Sequence, residues 1–315
     1  MKKITMQKDT NKTIDEGFNI FLNEHCVLKN MRPSTIIYYK ELMYYGFYKY
    51  FDNETLLSKL TQKDLDDYII YLKNKGTKDS TINVHLKGLR CIITFFKSKR
   101  WIDNNISISL VKEDKEPIEP YTDQEIQKLL KKPDMKHCTF AEYRNWVIVN
   151  FLCNTGCRRS TLVNIHVEDL ELTNGYCKFR HTKNRKPLTV PITPSMCSIL
   201  REYIEYIPKQ CLYLFPTVNC EQITPRRLSK IIEQYNHSRG VTTTGVHKFR
   251  HWFAKTAVLN GMDLITLQNI LGHSNLQVLR NYVNLLTEDL KYNSVDLNPL
   301  ESIKKRDKSK HIKLK

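Results

Sequence analysis

A chain of 315 residues with 41% hydrophobic side chains is long enough for two domains, each with its own core. Its formal net charge of +17 points to a polyanionic partner, because each Lys or Arg that meets a phosphate releases condensed counterions. No window approaches the roughly 18 consecutive apolar residues of a membrane helix, and no apolar run follows the basic amino terminus; neither a membrane span nor a secretory leader is expected, and a cytoplasmic location is.

The nine cysteines are scattered singly, without a Cys-x-x-Cys pair. Zinc ligands cluster at short spacings, so no structural metal is expected, and free thiols in a reducing compartment are the economical reading.

The first segment reads as helical. Ile14, Phe18, Phe21 and Leu22 recur at helical spacing. Pro33 then opens a second helix, with Ser34 or Thr35 as candidate caps and Ile36, Tyr39, Leu42, Met43 and Phe47 as its apolar stripe. A third follows Thr61, with Asp64 three residues on, and carries Leu65, Tyr68, Ile69 and Leu72 until Gly76 breaks it. A fourth, from Ser80 or Thr81 to Arg100, buries Ile82, Leu86, Leu89, Ile93 and Phe96. Residues 13–105 therefore form an all-helical domain. Its polar faces hold Lys78, His85, Lys87, Arg90 and Lys97, which are candidate DNA contacts as a set, although any one of them alone is an ordinary solvated side chain.

Residues 106–121 carry Pro117 and Pro120 and no helical stripe, so they read as an extended linker. The second domain, 122–290, begins at the capping-box pattern Thr122-Asp123-Gln124-Glu125. A long helix from Ala141 to Cys153 follows, punctuated by Asn154-Thr155-Gly156, and another is expected over Cys157–Ile165. Two short β segments, Tyr176–Arg180 and Leu188–Ile192, flank a basic tip with Lys183, Arg185 and Lys186. Helices are expected at about 195–206, 225–236, 247–259, 263–270 and 276–285. Arg185 and Lys186 of the tip, with Arg226 and Arg227 in the first turn of one of these helices, join the candidate DNA contacts. Residues 291–315 read as a docking segment and a basic tail.

Four patterns stand in order in the second domain: Thr155-Gly156-Cys157-Arg158, the hairpin Lys183, His247-x-x-Arg250, and Leu271-Gly272-His273 followed by Tyr282. The spacing of His247 and Arg250 puts both on one helix face. In these patterns the chain resembles the tyrosine recombinases, or phage integrases, most closely the short bacterial Xer-like and integrative-element members. The resemblance runs from about residue 13 to 290. It implies a mainly α fold: an amino-terminal SAM-like helical core-binding domain, then a mostly helical catalytic domain with a small antiparallel sheet.

The resemblance also implies roles. Arg158 and Arg250 are the phosphate-binding arginines, Lys183 the proton donor to the leaving 5′ oxygen, His247 and His273 their histidine partners, and Tyr282 the nucleophile. Nothing local marks Tyr282 among 17 tyrosines; its position does. The residue three after the first arginine is usually acidic in the family, and here it is Thr161, which accepts a hydrogen bond but supplies no charge. No cofactor is implied. The implied partner is double-stranded DNA with inverted-repeat core sites, bound by a homotetramer whose subunits could be monomeric when free, with no membrane. The expected activity is site-specific recombination through a 3′-phosphotyrosine and a Holliday junction, serving integration and excision of a mobile element. Dimer resolution or DNA inversion by the same chemistry, a type IB topoisomerase-like enzyme and an inactive DNA-binding protein are the alternatives.

Overall fold

Capping residues and apolar stripes account for most of the helices in the computed structural model, which describes residues 12–114 and 119–272. Contacts within the chain cluster into two units that divide between Glu116 and Pro117.

In the first unit, α1 (Ile14–Ile20) starts at a capping box in which Thr13 and Glu16 satisfy each other's backbone N–H groups, and a π-helical stretch (Phe21–Val27) prolongs it. The helices α2 (Pro33–Tyr45), α3 (Gln62–Asn74) and α4 (Asp79–Ser98) follow. Thr61 and Asp64 form the expected capping box of α3. α2 opens at Pro33 as expected, but its cap is Arg32 rather than Ser34 or Thr35, and α4 begins at Asp79 with Lys78 as cap, neither cap bonding through its side chain. Phe18, Phe21, Leu42, Phe47, Tyr68, Leu86 and Phe96 interlock in the core.

The first part of the segment expected as linker belongs to this unit. Ile106 and Ile108 are buried in the helical core. Lys97 Nζ donates to the Asn104 carbonyl at 2.7 Å, and Arg90 donates to the Ile108 carbonyl at 3.0 Å and 2.6 Å. Buried Asn83 pairs with the Val111 backbone in both directions. The apolar side chains of Ile106 and Ile108 anchor this strap, and Arg90, itself exposed, bonds to it.

In the second unit, Thr122 and Glu125 cap α5 (Asp123–Leu130) as expected. The central helix is α6 (Phe140–Thr155), with Val147, Ile148, Val149, Phe151 and Leu152 all buried. A helix apolar on every side must be surrounded, and α6 packs against α5, α8 (Pro194–Glu205), α9 (Pro225–Ser238) and α10 (Val246–Leu259). The helix expected over 157–165 is a single turn, α7 (Arg159–Leu162). Beyond it the backbone is drawn away: the Ile165 carbonyl accepts from Leu214 N and Val167 N donates to the Leu212 carbonyl.

The sheet has three antiparallel strands in the order β1 (Leu170–Glu171), β2 (Tyr176–Phe179), β3 (Leu188–Pro191); the short β1 was not expected. The last described helix is α11 (Leu264–Leu271), capped by Asp263 Oδ1 on the N–H groups of Ile265 and Thr266. The expected helix at 276–285 lies outside the described residues. Among those described, no helix is long and apolar enough to cross a membrane. The reading of all cysteines as free thiols is corrected at one place: Cys211 and Cys220 are joined in a disulfide across the loop between α8 and α9, and the other seven are thiols. Nine scattered cysteines gave no sign of it, because the pairing depends on a loop folding back on itself.

Candidate active site

Two helix ends build the site. α6 stops at Gly156 and α11 at Gly272, both in the left-handed region with φ of 57° and 60°. A Cβ on Gly156 would stand 2.6 Å from Phe253 Cδ1 and 3.0 Å from Leu271 Cδ2, so the end of α6 must be bare for α10 and α11 to close on it. Helix ends leave carbonyls without internal donors and carry partial negative charge.

Two arginines use those carbonyls. Arg250, on α10 and only 3% exposed, donates from Nη1 to the Gly156 carbonyl at 3.0 Å and from Nη2 to the Leu271 carbonyl at 2.8 Å. Arg158 is the residue before α7, in extended backbone, and its side chain is half-buried. Its Nη1 donates to the carbonyls of Leu271 at 3.2 Å and Gly272 at 3.4 Å, and its Nη2 to Gly272 at 3.4 Å. Residues far apart in sequence therefore share the Leu271 oxygen.

His247 lies one turn before Arg250 on α10. Partial desolvation, then the charges of Arg250, Arg159, Arg158 and Lys183, lower its pKa below the ordinary 6.5. Cations from α7, α10 and the hairpin thus converge on one imidazole, exposed at its outer edge, and disfavour its protonation. Its neighbour His251 is lowered as well, by burial and then by His247 and Arg250.

A cavity of about 530 Å³ opens in front of the arginines, lined by Arg158, Thr161, Asn184, Lys186, Arg250 and Gly272 among others. Thr161 is buried and reaches this cavity, so the residue that departs from the family pattern does lie at the site. The hairpin tip closes on itself through Thr182 Oγ1 to the Lys186 carbonyl at 2.6 Å and Arg185 N to the Thr182 carbonyl at 3.2 Å. Lys183, Arg185 and Lys186 are exposed on it. Lys186 lines the cavity while the charge of Lys183 is felt at His247, so both lysines stand near the arginines.

His273 and Tyr282 lie outside the described residues. The structure thus brings together Arg158, Arg250, His247 and the Lys183 hairpin, with the carbonyl of Gly272 immediately before His273. Two residues at the site escaped the sequence reading. Arg159 is close enough to depress His247 while its Nη1 donates to Ser229 Oγ at 2.7 Å. Asn184 donates to the Gly272 carbonyl at 3.4 Å. Neither carries a sequence signal beyond adjacency to Arg158 and Lys183.

Away from this site, Lys78 is exposed at the cap of α4 and Lys87 on that helix, and Arg226 and Arg227 are exposed on the first turn of α9. His85 is half-buried between α2 and α4, and its burial lowers its pKa. Arg90 and Lys97 hold the strap. Among the described residues, no group of three His, Cys, Asp or Glu side chains is placed to hold a metal ion.

Residues 120–289, more than half of the chain, match the model of the phage integrase family. The chain belongs to the phage integrase family. Among curated proteins, this family member is 28% identical over 261 residues to tyrosine recombinase XerC of Staphylococcus carnosus, covering 80% of this chain and 87% of the relative. It is 29% identical over 291 residues to XerC of Staphylococcus aureus, covering 89% and 95%. With tyrosine recombinase XerA of Pyrococcus furiosus it shares 27% identity over 247 residues, covering 77% and 83%. Among solved structures it shares the fold of the Tn1549 transposon integrase in complex with transposon right end DNA, with a TM-score of 0.73, 19% identity and coverage of 86% and 94%. The lambda integrase dimer bound to a core site has the same fold, with a TM-score of 0.68, 14% identity and coverage of 86% and 95%. This phage integrase family member is a tyrosine-type site-specific recombinase.

Proposed function

We propose that the cavity before Arg158 and Arg250 receives the scissile phosphate of a duplex recombination site and that Tyr282 is the nucleophile. The observation that carries this reading is the convergence of the two guanidiniums on one carbonyl oxygen, a geometry that can clamp the nonbridging oxygens of a phosphate. The phenolic oxygen of Tyr282 bonds to phosphorus as the bond to the 5′ oxygen breaks. The phenol proton passes to neutral His247, and the ammonium of Lys183 supplies a proton to the departing 5′ oxygen. His273 adds a hydrogen-bond donor to the pentacovalent transition state. A 5′ hydroxyl from another strand reverses the sequence, and the phosphotyrosine conserves the bond energy between the two steps.

The DNA is a core site with inverted repeats, gripped outside the cavity by exposed cations such as Lys78, Lys87, Arg226 and Arg227. The working assembly is a homotetramer on a four-way junction; lambda integrase has been solved as a tetramer bound to a Holliday junction. The segment from Leu285 to Ile303 docks on a neighbouring protomer. Integration and excision of a mobile element is the role proposed, with the transposon integrase fold as support. Chromosome dimer resolution is the second reading, favoured by near full-length similarity to XerC.

The test is a nicked suicide substrate built from DNA flanking the gene. Wild type should give a covalent protein–DNA band, and Tyr282→Phe none. An adduct that persists in Tyr282→Phe would overturn the assignment of the nucleophile. Plasmid recombination on flanking DNA, against DNA from the chromosome terminus, separates the two roles.

A further inference from the structure

The carbonyl of Gly272 is the point at which the pieces of the site meet. Arg158 reaches it from α7 through both terminal nitrogens, each at 3.4 Å. From the hairpin tip, Asn184 Nδ2 reaches the same oxygen, also at 3.4 Å. His273 is the next residue in the chain. The strand after the tip is seated against this cap as well: a Cβ on Gly272 would stand 3.1 Å from Leu188 Cδ2.

The tip is internally closed, since Thr182 Oγ1 and Arg185 N bond within it, and Arg185 holds a left-handed φ of 57°. A turn closed in this way keeps its shape, so the hydrogen bond from Asn184 to the Gly272 carbonyl bears on where the whole tip sits. Asn184 is the residue next to Lys183.

We infer that Asn184 is a positioning residue for the reaction: its amide fixes the Lys183-bearing tip to the Gly272 carbonyl and so registers the proton donor against the arginine-bound phosphate. The inference rests on the proposed roles of Lys183 and Arg158. It concerns an amide bonded to the Gly272 carbonyl rather than a proton donor, and it makes the departure of the 5′ oxygen, specifically, the step that depends on Asn184.

The side chain at issue is exposed, so Asn184→Ala and Asn184→Asp should fold, and thermal melting like that of wild type checks this. Asp is nearly isosteric but presents an acceptor to an acceptor. Both variants are compared with wild type in single-turnover cleavage of a suicide substrate, once with the normal 5′ oxygen and once with sulfur bridging at that position. When the phosphorus–sulfur bond breaks, sulfur leaves as a thiolate and needs no proton.

With oxygen, both variants should slow adduct formation by about 10- to 100-fold, the scale expected when a group that must be aligned within an ångström is left loose. With sulfur they should match wild type to within about threefold, and Asn184→Ala added to Lys183→Ala should cost nothing further, as coupled residues require. Equal slowing with both leaving groups would show that Asn184 acts through the fold or the phosphate clamp, and no slowing with oxygen would show that the tip needs no such tether; either overturns the inference while the wild-type adduct stands. If wild type forms no Tyr282 adduct on either substrate, the reading of the site fails and the inference falls with it.

Discussion

His247 shows how neighbours reset the proton affinity of an ordinary side chain. Desolvation and the charges of Arg250, Arg159, Arg158 and Lys183 all act in one direction and lower its pKa. The neutral ring is then favoured in the folded state, so the unfolded chain binds more protons at mildly acidic pH. His247 thus contributes stability that is complete above its unfolded pKa and is lost as pH falls through its folded value. In the free protein its ring resonances, followed by NMR, should titrate below 6.5, and Arg159→Gln should raise the midpoint by removing one cation. A midpoint at or above the ordinary value would contradict the arrangement. His247 and Arg250 were legible in the sequence because their His-x-x-Arg pattern resembles that of the family, and a helix places residues three apart on one face. Arg159 was not, since adjacency to Arg158 cannot say that α7 lasts one turn and leaves both arginines within reach of one imidazole.

At the scale of elements, the site depends on where helices stop. Gly156 sits in the left-handed region and its missing Cβ admits Phe253. Gly156→Ala should therefore cost about 2–4 kcal/mol, combining backbone strain with displaced ring packing, and the loss should appear as a lower midpoint in urea unfolding. A cost under about 0.5 kcal/mol would mean that α10 and α11 can retreat from the end of α6. Helix interiors were legible because their apolar stripes are local facts: the stripe residues of α3 and α4, and the capping boxes at Thr61 and Thr122, are found where the pattern put them. The early end of α7 was not, because its cause is a loop near Leu212 and Leu214, distant in sequence. Nor was the burial of Ile106 and Ile108, since prolines farther on made the whole stretch read as linker.

For the whole molecule, a formal net charge of +17 predicts how DNA binding responds to salt. The logarithm of the association constant should fall linearly with the logarithm of salt concentration, with a slope of about −0.9 for each phosphate neutralised on duplex DNA. Lys87→Ala, on an exposed face of α4, should weaken binding to all sequences alike and make that slope shallower by about 1. Arg90→Ala should behave differently. Its guanidinium grips the Ile108 carbonyl, so its loss should lower the melting temperature of the free protein by more than Lys87→Ala does. Equal melting temperatures for the two variants would return Arg90 to the class of plain surface cations. Charge alone could not separate these arginines and lysines; the strap does.

The grip of helix-end carbonyls on Arg250 also changes when its freedom is lost. A long flexible side chain normally gives up rotamer entropy on meeting its ligand, at about 0.5–1.5 kcal/mol for each such group immobilised. With Nη1 on Gly156 and Nη2 on Leu271, that ordering falls on folding rather than on association. The guanidinium plane is set by the fold itself, so an anion meeting Arg250 would find a stiff surface and a correspondingly smaller entropic barrier to tight contact.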